Sequence, residues 1–254
     1  MTQPKSNPTN TGEHPSESPE LGVRGHEPGS VHVIVVVPAF NEGKEIENTL
    51  RGLCAAGLDV VVVDDGSIDS TRDIVLRHPV HYLRHCVNLG QGAALETGDR
   101  YALGLGADVV VHFDADGQHP VEQIQDLIKP IVSGEADVTM GSRFLTRRDA
   151  LRVPFAKRTM LRGARVVSGL FTGVWLTDTH NGFRALGRTA LQRIHLHEPG
   201  FAHATELLEH IRKNKLKILE VPSAICYTEY SKRKGQTIGN SISVLIDLIL
   251  RRVF

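Results

Sequence analysis

Two aspartates separated by one residue end an apolar, largely β-branched run in the segment VVVHFDADGQHP, residues 109–120. Asp114 and Asp116 are followed by Gln118, which adds a neutral amide oxygen at the next alternate position. Oxygen ligands in this pattern suit a divalent cation such as Mg²⁺ or Mn²⁺, which commonly keeps coordination positions for substrate phosphates. Taken alone, the segment also fits a tight turn at Asp116-Gly117. The pattern therefore needs support from elsewhere in the chain.

Two further polar segments follow β-branched runs, namely PAFNE at 38–42 and DDGSIDST at 64–71. Each one, read alone, fits a connection from a strand to a helix. In that interpretation Asn41 caps the first helix, and Asp69 or Ser70 caps the second. The capping interpretation gives two of the acids no partner. An acid that follows a buried strand usually has one, such as a ribose hydroxyl, a base edge or a metal. These acids are Glu42 and Asp64.

The elements that must position these residues alternate from Val31 onward between short β-branched runs and longer amphipathic stretches. This alternation predicts an α/β protein with a mostly parallel sheet flanked by helices, followed by a more helical and more basic C-terminal part. The three polar segments fall at the ends of the first, second and fourth predicted strands. In an open parallel sheet, ligands bind beyond the carboxyl ends of the strands, so all three segments are expected to face one cleft.

Composition excludes several classes of protein. Acidic and basic residues balance at 29 each among 254 residues, which gives no electrostatic reason to expect a nucleic-acid partner. Three widely spaced cysteines without a metal-ligand pattern are typical of a reduced, cytoplasmic protein. No run of about twenty apolar residues occurs, so any membrane contact is expected to be peripheral. Residues 1–30 are rich in Pro, Ser and Gly and are predicted to be a disordered tail.

Seven segments, in this order, resemble the family-2 glycosyltransferases, which have the GT-A fold. They are VVVPAFNEGKEI, VVVVDDGSIDST, NLGQGAAL, FDADGQHP, GSRF, NGFRAL and EVP. The resemblance runs from about Val31 to the last twenty residues. It is closest to the dolichol-phosphate mannosyltransferase and bacterial polyprenyl-phosphate glycosyltransferase group. It implies a GT-A domain at 31–236, and residues 237–254 are predicted to form a C-terminal amphipathic helix.

Carried over position by position, the resemblance implies a donor site and a metal site. The donor positions, which bind the nucleotide-sugar, are Pro38, Phe40, Glu42, Asp64, Asp65, Asp114, Ala115 and Arg184. The metal positions for Mg²⁺ or Mn²⁺ are Asp114, Asp116 as the main ligand, and Gln118. The positions expected to act in catalysis are Asp116, Arg143, Lys157 and Arg158. Arg143 and Arg184 are expected near phosphate, and His180 and Asn181 share with Arg184 a loop over the sugar.

Two departures from the family pattern stand out. The family often has a lysine where this chain has Gln91, so direct phosphate contact there is not expected. The related lipid-phosphate enzymes typically place a basic residue and then a serine for the acceptor phosphate, and here Lys157 is followed by Leu161. Lys157, Arg158 and Arg162 remain the candidate phosphate partners. An ordinary solvated helix face is the alternative for this arginine-rich stretch. His119 lacks ligand spacing and is expected to be dispensable.

The sequence therefore predicts an inverting glycosyltransferase that moves a hexose from a GDP-mannose or UDP-glucose type of donor to polyprenyl phosphate at the cytoplasmic membrane face. One alternative is transfer to a hydroxyl of a saccharide or small molecule, for which Glu206 is a candidate general base. The other is a non-catalytic nucleotide-sugar-binding scaffold. The segment 237–254 fits either an interfacial helix or a docked helix, and a separate membrane-protein partner stays open.

Overall fold

The computed structural model describes residues 31–153, 155–179, 181–198, 200 and 202–224. Within these residues seven strands form one sheet. They are β1 (Val33–Ala39), β2 (Asp59–Asp64), β3 (His81–Arg84), β4 (Val109–His112), β5 (Val138–Ser142), β6 (Arg184–Gly187) and β7 (Ile218–Pro222). Eight α-helices flank them. They are α1 (Ile46–Ala55), α2 (Thr71–Val75), α3 (Gln91–Gly104), α4 (Ile124–Val132), α5 (Arg147–Arg152), α6 (Phe155–Thr172), α7 (Arg188–Arg193) and α8 (His203–Lys213).

The strand order in the sheet is β3-β2-β1-β4-β6-β5-β7. Strands β3, β2, β1 and β4 are mutually parallel, and β5 is parallel to β7. Strand β6 is antiparallel to both of its neighbours, β4 and β5. The predicted mostly parallel α/β sheet is therefore confirmed, with one inserted antiparallel strand that the sequence pattern did not indicate.

The core lies on both faces of the sheet, which explains why the central strands are continuous apolar runs rather than alternating ones. Side chains of β1 alternate between the two faces. Ile34 and Val36 pack with α3 and α8 on one face, whereas Val35 and Val37 pack with α1 and α4 on the other. The β-branched side chains fill the pleated surface between these helix layers.

The two predicted terminal segments cannot be compared with the structure. The tail at 1–30 and the amphipathic helix at 237–254 lie outside the described residues and stay predictions, as do the domain limits 31–236. Within the described residues, each helix is too short or too polar to cross a lipid bilayer.

Helix α3 packs closely against β1 because Gly98 leaves room for a valine. A Cβ atom at Gly98 would lie 2.3 Å from Cγ1 of Val36, whereas a Cβ at Gly104, in the same helix, would meet nothing within 4 Å. This close packing fixes the start of α3, which lies beside the end of β4, relative to the central strands.

We predict that Gly98→Ala lowers the free energy of unfolding by about 1–3 kcal/mol, because the added methyl group overpacks the contact with β1. Gly104→Ala is the matched control and should be neutral or up to about 1 kcal/mol stabilising. Urea unfolding followed by circular dichroism measures both. Equal unfolding midpoints for the two variants would contradict the close packing of α3 on β1.

Candidate active site

The ends of β1, β2 and β4 meet at one edge of the sheet, as the sequence predicted. Ala39 at the end of β1 is paired in register with Asp64 at the end of β2. On the other side, Val36 of β1 is paired with His112, the last residue of β4. The polar segments that follow these strands therefore form three adjacent loops.

Asn41 joins two of these loops rather than capping a helix. Its backbone N–H donates to Oγ of Ser67 at 2.9 Å, and its Oδ1 accepts from the backbone N–H of Ile68 at 3.0 Å. The prediction that Asn41 caps α1 is wrong, because α1 begins only at Ile46. Asn41 has a left-handed φ of 55°, which asparagine tolerates, and its side chain is already bound to the neighbouring loop.

The first loop presents donor positions that differ in exposure. The side chain of Phe40 is 43% exposed at this edge, Pro38 is half-buried, and Glu42 is buried. The backbone N–H of Glu42 donates to Oγ1 of Thr71 at 2.9 Å, which ties the loop to α2. An exposed aromatic ring on an anchored loop offers a flat surface on which a planar ligand can stack.

Asp64 is fully buried and bound by protein groups. It accepts from the backbone N–H of Ser67 at 2.8 Å and from the hydroxyl of Tyr82 at 2.6 Å. The Nε of Arg84 lies 3.7 Å from the same carboxylate, whose side chain has 0% exposure. These three groups are partners for the acid that the capping interpretation left without one. The hydrogen bonds of Asp64 stabilise the end of β2 and the turn that follows it.

Asp65 anchors the glycine-rich entry to α3. Its carboxylate accepts from the backbone N–H groups of Leu89 and Gly90 at 2.9 and 2.7 Å, and from Nδ1 of His85 at 2.7 Å. Gly90 has a φ of 100°, which favours glycine. Asp65 therefore fixes the N-terminus of α3 beside the end of β2, and its predicted role in donor binding stays a prediction.

Two side chains fix the carboxylate of Asp114, and a glycine leaves room for it. Nε2 of Gln91 donates to Oδ1 at 3.1 Å, and Nε2 of His119 donates to Oδ2 at 3.2 Å. A Cβ atom at Gly182 would lie 2.6 Å from Oδ2, so that glycine makes space for the acid. The ring of His119 is buried and stacks on Phe183 with centroids 4.9 Å apart. The prediction that His119 is dispensable stays untested, and no pattern in the sequence indicated its hydrogen bond to Asp114 or the close approach of Gly182.

The two aspartates have opposite electrostatic surroundings. Burial raises the pKa of Asp114, but the hydrogen bond and charge of His119 and the charge of Arg184 outweigh it, so the pKa is held below its ordinary value. Burial, and then the charge of Asp114, raise the pKa of Asp116 to about 6. Asp116 accepts from the backbone and the side-chain amide of Gln118. A cation bound beside Asp116 would favour its ionised form.

Arg184 is buried beside this pair. The prediction that it belongs to a loop before a helix is wrong, because Arg184 begins β6 and pairs with His112 of β4. Among the described residues its Nη1 finds no hydrogen-bond partner, and the same holds for Nδ2 of Asn181 and Nδ1 of His119. Burial lowers the pKa of Arg184 to about 10, which leaves it charged at neutral pH. A polar ligand at this place would satisfy these buried groups. His180 lies outside the described residues.

Arg143 is held in a buried ion pair. Its Nε and Nη2 donate to the two carboxylate oxygens of Asp178 at 2.5 and 2.6 Å, and its side chain is 6% exposed. The expected contact between Arg143 and phosphate stays a prediction. The observed geometry directs the guanidinium towards Asp178, which pins the end of β5 to the segment that precedes β6.

The predicted acceptor-phosphate positions, Lys157, Arg158 and Arg162, lie on α6. The side chain of Lys157 is outside the described part of the structure, whereas Nη1 of Arg158 donates to the carbonyl of Ala150 at 3.5 Å. Leu161, which replaces the serine of related enzymes, is buried in the packing of α6. Arg162 is exposed. The helix therefore buries Leu161 and presents Arg162 to solvent.

Glu206, the candidate general base, is bound by the backbone. Its carboxylate accepts from the N–H of His197 at 2.9 Å and from the N–H of Glu198 at 2.9 Å. A carboxylate engaged in this way holds the loop before α8 against the helix.

Comparisons with known proteins agree with this geometry. The family model for glycosyl transferase family 2 matches residues 34–195. The UDP-N-acetylglucosamine--dolichyl-phosphate N-acetylglucosaminyltransferase of Methanococcus voltae is 31% identical over 87% of this chain and 96% of its own length. The polyprenol monophosphomannose synthase of Mycolicibacterium smegmatis is 29% identical over 86% and 87%, respectively. The solved glucosyl-3-phosphoglycerate synthase of Mycobacterium tuberculosis matches with a TM-score of 0.63 at 20% identity, over 87% of this chain and 80% of that one.

The chain belongs to glycosyl transferase family 2 and is a glycosyltransferase with the GT-A fold. The predicted family, fold and enzyme class are thereby confirmed. The individual site residues stay predictions that the geometry supports to different degrees.

The pair of Arg143 and Asp178 gives a test of the site's framework. We predict that Asp178→Asn lowers the free energy of unfolding by about 3–5 kcal/mol, because it leaves the Arg143 guanidinium buried without its counter-charge. Asp126→Asn, at an exposed acid of α4, is the control and should stay within about 0.5 kcal/mol of the parent. Chemical denaturation measures both variants. A stable Asp178→Asn protein with weakened donor binding would instead favour the phosphate contact for Arg143.

Proposed function

We propose that this enzyme is an inverting, metal-dependent glycosyltransferase that moves a hexose from a nucleotide-sugar to polyprenyl phosphate at the inner face of the cell membrane. The observation that carries the proposal is the placement of Asp114 and Asp116 together at the carboxyl edge of the sheet, beside the buried cation of Arg184. A site of this kind suits a donor that carries a diphosphate.

The residues at the edge fit a divalent cation. Asp116 has a pKa raised to about 6 by burial and by the neighbouring acid, so a positive ion between the two carboxylates would relieve both effects. Asp114, Asp116 and Gln118 would hold it, as the sequence predicted for Mg²⁺ or Mn²⁺. When bound, such an ion stabilises the negative charge that develops on the leaving nucleotide.

The chain's own residues would position the donor. Phe40 offers its exposed ring to the base, and the loop that Asp65 anchors directs the N-terminus of α3 towards the phosphates. His119 and Gln91 hold the Asp114 carboxylate in one orientation. Arg184, with an unpartnered Nη1 in the described structure, supplies a buried positive charge for the diphosphate or a donor for the sugar hydroxyls.

A lipid phosphate is the favoured acceptor because it is already ionised and needs no general base. One of its oxygens attacks the anomeric carbon as the bond to the nucleotide diphosphate breaks on the opposite side, which inverts the anomeric configuration. Glu206, which transfer to a hydroxyl would require as a base, is engaged by backbone N–H groups. The two relatives named above carry dolichyl phosphate and polyprenol monophosphomannose in their names. Lys157, Arg158 and Arg162 remain the candidates for binding the acceptor phosphate.

Helix α6 also carries a surface that suits a membrane. Arg162, Val166 and Leu170 follow one another at intervals of four residues and share one face, and Leu170 is 71% exposed. Trp175, which is exposed as well, lies against Gly169 of the same helix. Basic and apolar side chains on one exposed face are typical of contact with anionic lipid, so we propose a peripheral membrane location.

We predict that Asp116→Ala lowers the transfer rate by at least about 100-fold and abolishes stabilisation by Mn²⁺ together with the nucleotide diphosphate, because the main ligand is lost. Asp126→Ala, at an exposed acid in the first turn of α4, is the control and should behave like the parent. Thermal unfolding with and without Mn²⁺ and UDP or GDP measures binding independently of turnover. Retained transfer and retained Mn²⁺-dependent binding in Asp116→Ala would contradict the metal assignment.

The acceptor is tested by incubating the protein with labelled GDP-mannose or UDP-glucose and either polyprenyl phosphate or a saccharide. We expect label to enter the organic phase only with polyprenyl phosphate, since that acceptor needs no deprotonation. Label that enters the saccharide and stays out of the lipid would favour transfer to a hydroxyl. No transfer of label with any donor, combined with intact nucleotide binding, would favour the non-catalytic scaffold.

A further inference from the structure

A group of side chains that could ligate a metal ion lies where the α7–α8 connection meets α8. It consists of His197, Glu206 and His210, and one ligand atom from each lies within 4.8 Å of the other two. None of the three belongs to the donor or metal positions at the strand ends. Imidazole and carboxylate groups in this combination are ligands for zinc and related divalent ions.

The local structure explains why the three side chains lie together. Glu206 and His210 are four residues apart on α8 and therefore share one face of the helix. His197 precedes α8, and its backbone N–H and that of Glu198 both donate to the Glu206 carboxylate. These bonds fix the loop against the helix, so the position of His197 is set by its backbone.

The distances are close to those of a tetrahedral site. Nδ1 of His197 lies 3.2 Å from Oε1 of Glu206, and Nε2 of His210 lies 3.8 Å from the same oxygen. Ligands that each lie about 2.0–2.1 Å from a tetrahedral ion are about 3.3 Å apart. The two imidazole rings are nearly parallel, with an interplanar angle of 17°, and their centroids are 6.4 Å apart. The His197 side chain is 77% exposed and can make the small adjustment needed.

We propose that His197, Glu206 and His210 form a binding site for one divalent transition-metal ion of the zinc class. Two neutral imidazoles and one carboxylate provide three of four tetrahedral positions, and the exposed side of His197 leaves the fourth to water. Mg²⁺ is disfavoured here because it prefers octahedral oxygen coordination. The site is thus chemically distinct from the oxygen-rich strand ends.

The bound ion would cross-link the α7–α8 connection to α8. That helix begins at His203, whose Nε2 lies 3.5 Å from Nη2 of Arg184. Burial, and then the charge of Arg184, lower the pKa of His203 to about 3, so it is neutral and accepts from Arg184. The cross-link would therefore stabilise the segment that supports the buried arginine.

The test uses the untagged full chain in an Asp116→Ala background, which removes the main predicted ligand at the strand ends and keeps the result independent of the proposed function. Metal-free protein is titrated with Zn²⁺ by calorimetry and with Co²⁺ by visible absorption. His197→Ala and His210→Ala are the test variants. His195→Ala is the matched control, because this neighbouring histidine is 48% exposed and pairs with Glu96 instead.

We expect the background protein to bind one Zn²⁺ per chain and to give a Co²⁺ spectrum of tetrahedral type. In both test variants the zinc affinity should fall by about 10-fold or more. His195→Ala should bind as tightly as the background protein. Unchanged zinc affinity in His197→Ala and His210→Ala would overturn the proposal and leave an ordinary hydrogen-bonded cluster. An equal loss of zinc affinity in His195→Ala would also overturn it, since binding would then belong to scattered surface imidazoles.

Far-UV circular dichroism checks that each variant is folded. Replacing the exposed His197 removes no core packing.

Discussion

The site depends on keeping two carboxylates side by side at the end of a strand that is buried on both faces. Burial disfavours the charge of each acid, and each charge disfavours the other. The protein treats the two acids unequally. Asp114 has His119, Gln91 and the charge of Arg184 around it, and its pKa is held low. Asp116 accepts hydrogen bonds from Gln118, but burial and the charge of Asp114 outweigh them and raise its pKa to about 6. The asymmetry leaves one acid firmly ionised and makes the other the one that gains most from a cation.

Rigid loops follow from the same constraint, because an ion pair or a metal site loses strength when its ligands move. The loops after β1 and β2 are joined through Asn41 and Ser67, and the entry to α3 is fixed by the carboxylate of Asp65. Asp64 and Asp65, which are predicted donor positions, also hold these loops through hydrogen bonds within the protein. Phe40 remains exposed between them, which gives the edge a rigid frame with one open aromatic surface.

The sequence was sufficient for the features that depend on local pattern. Apolar runs such as that of β4 predict buried strands, and polar segments after three of them predict one cleft. Features that depend on distant pairing could not be obtained this way. Arg143 and Asp178 are 35 residues apart, and the place of Gly182 beside Asp114 depends on the antiparallel insertion of β6. Asn41 follows the local rule for a helix cap, but a tertiary hydrogen bond outweighs that rule.

The insertion of β6 also explains how the second half of the chain reaches the donor edge. Strand β6 lies between β4 and β5, so the Asn-Gly-Phe segment that leads into it passes directly behind Asp114. Glycine is required there because any side chain would displace the carboxylate, and Arg184 follows two residues later with its guanidinium buried. A parallel strand in this position would bring its carboxyl end, not its entry, to the edge. The reversed direction of β6 thus places the Arg184 guanidinium, the space at Gly182 and the Phe183 ring that stacks on His119 beside the end of β4.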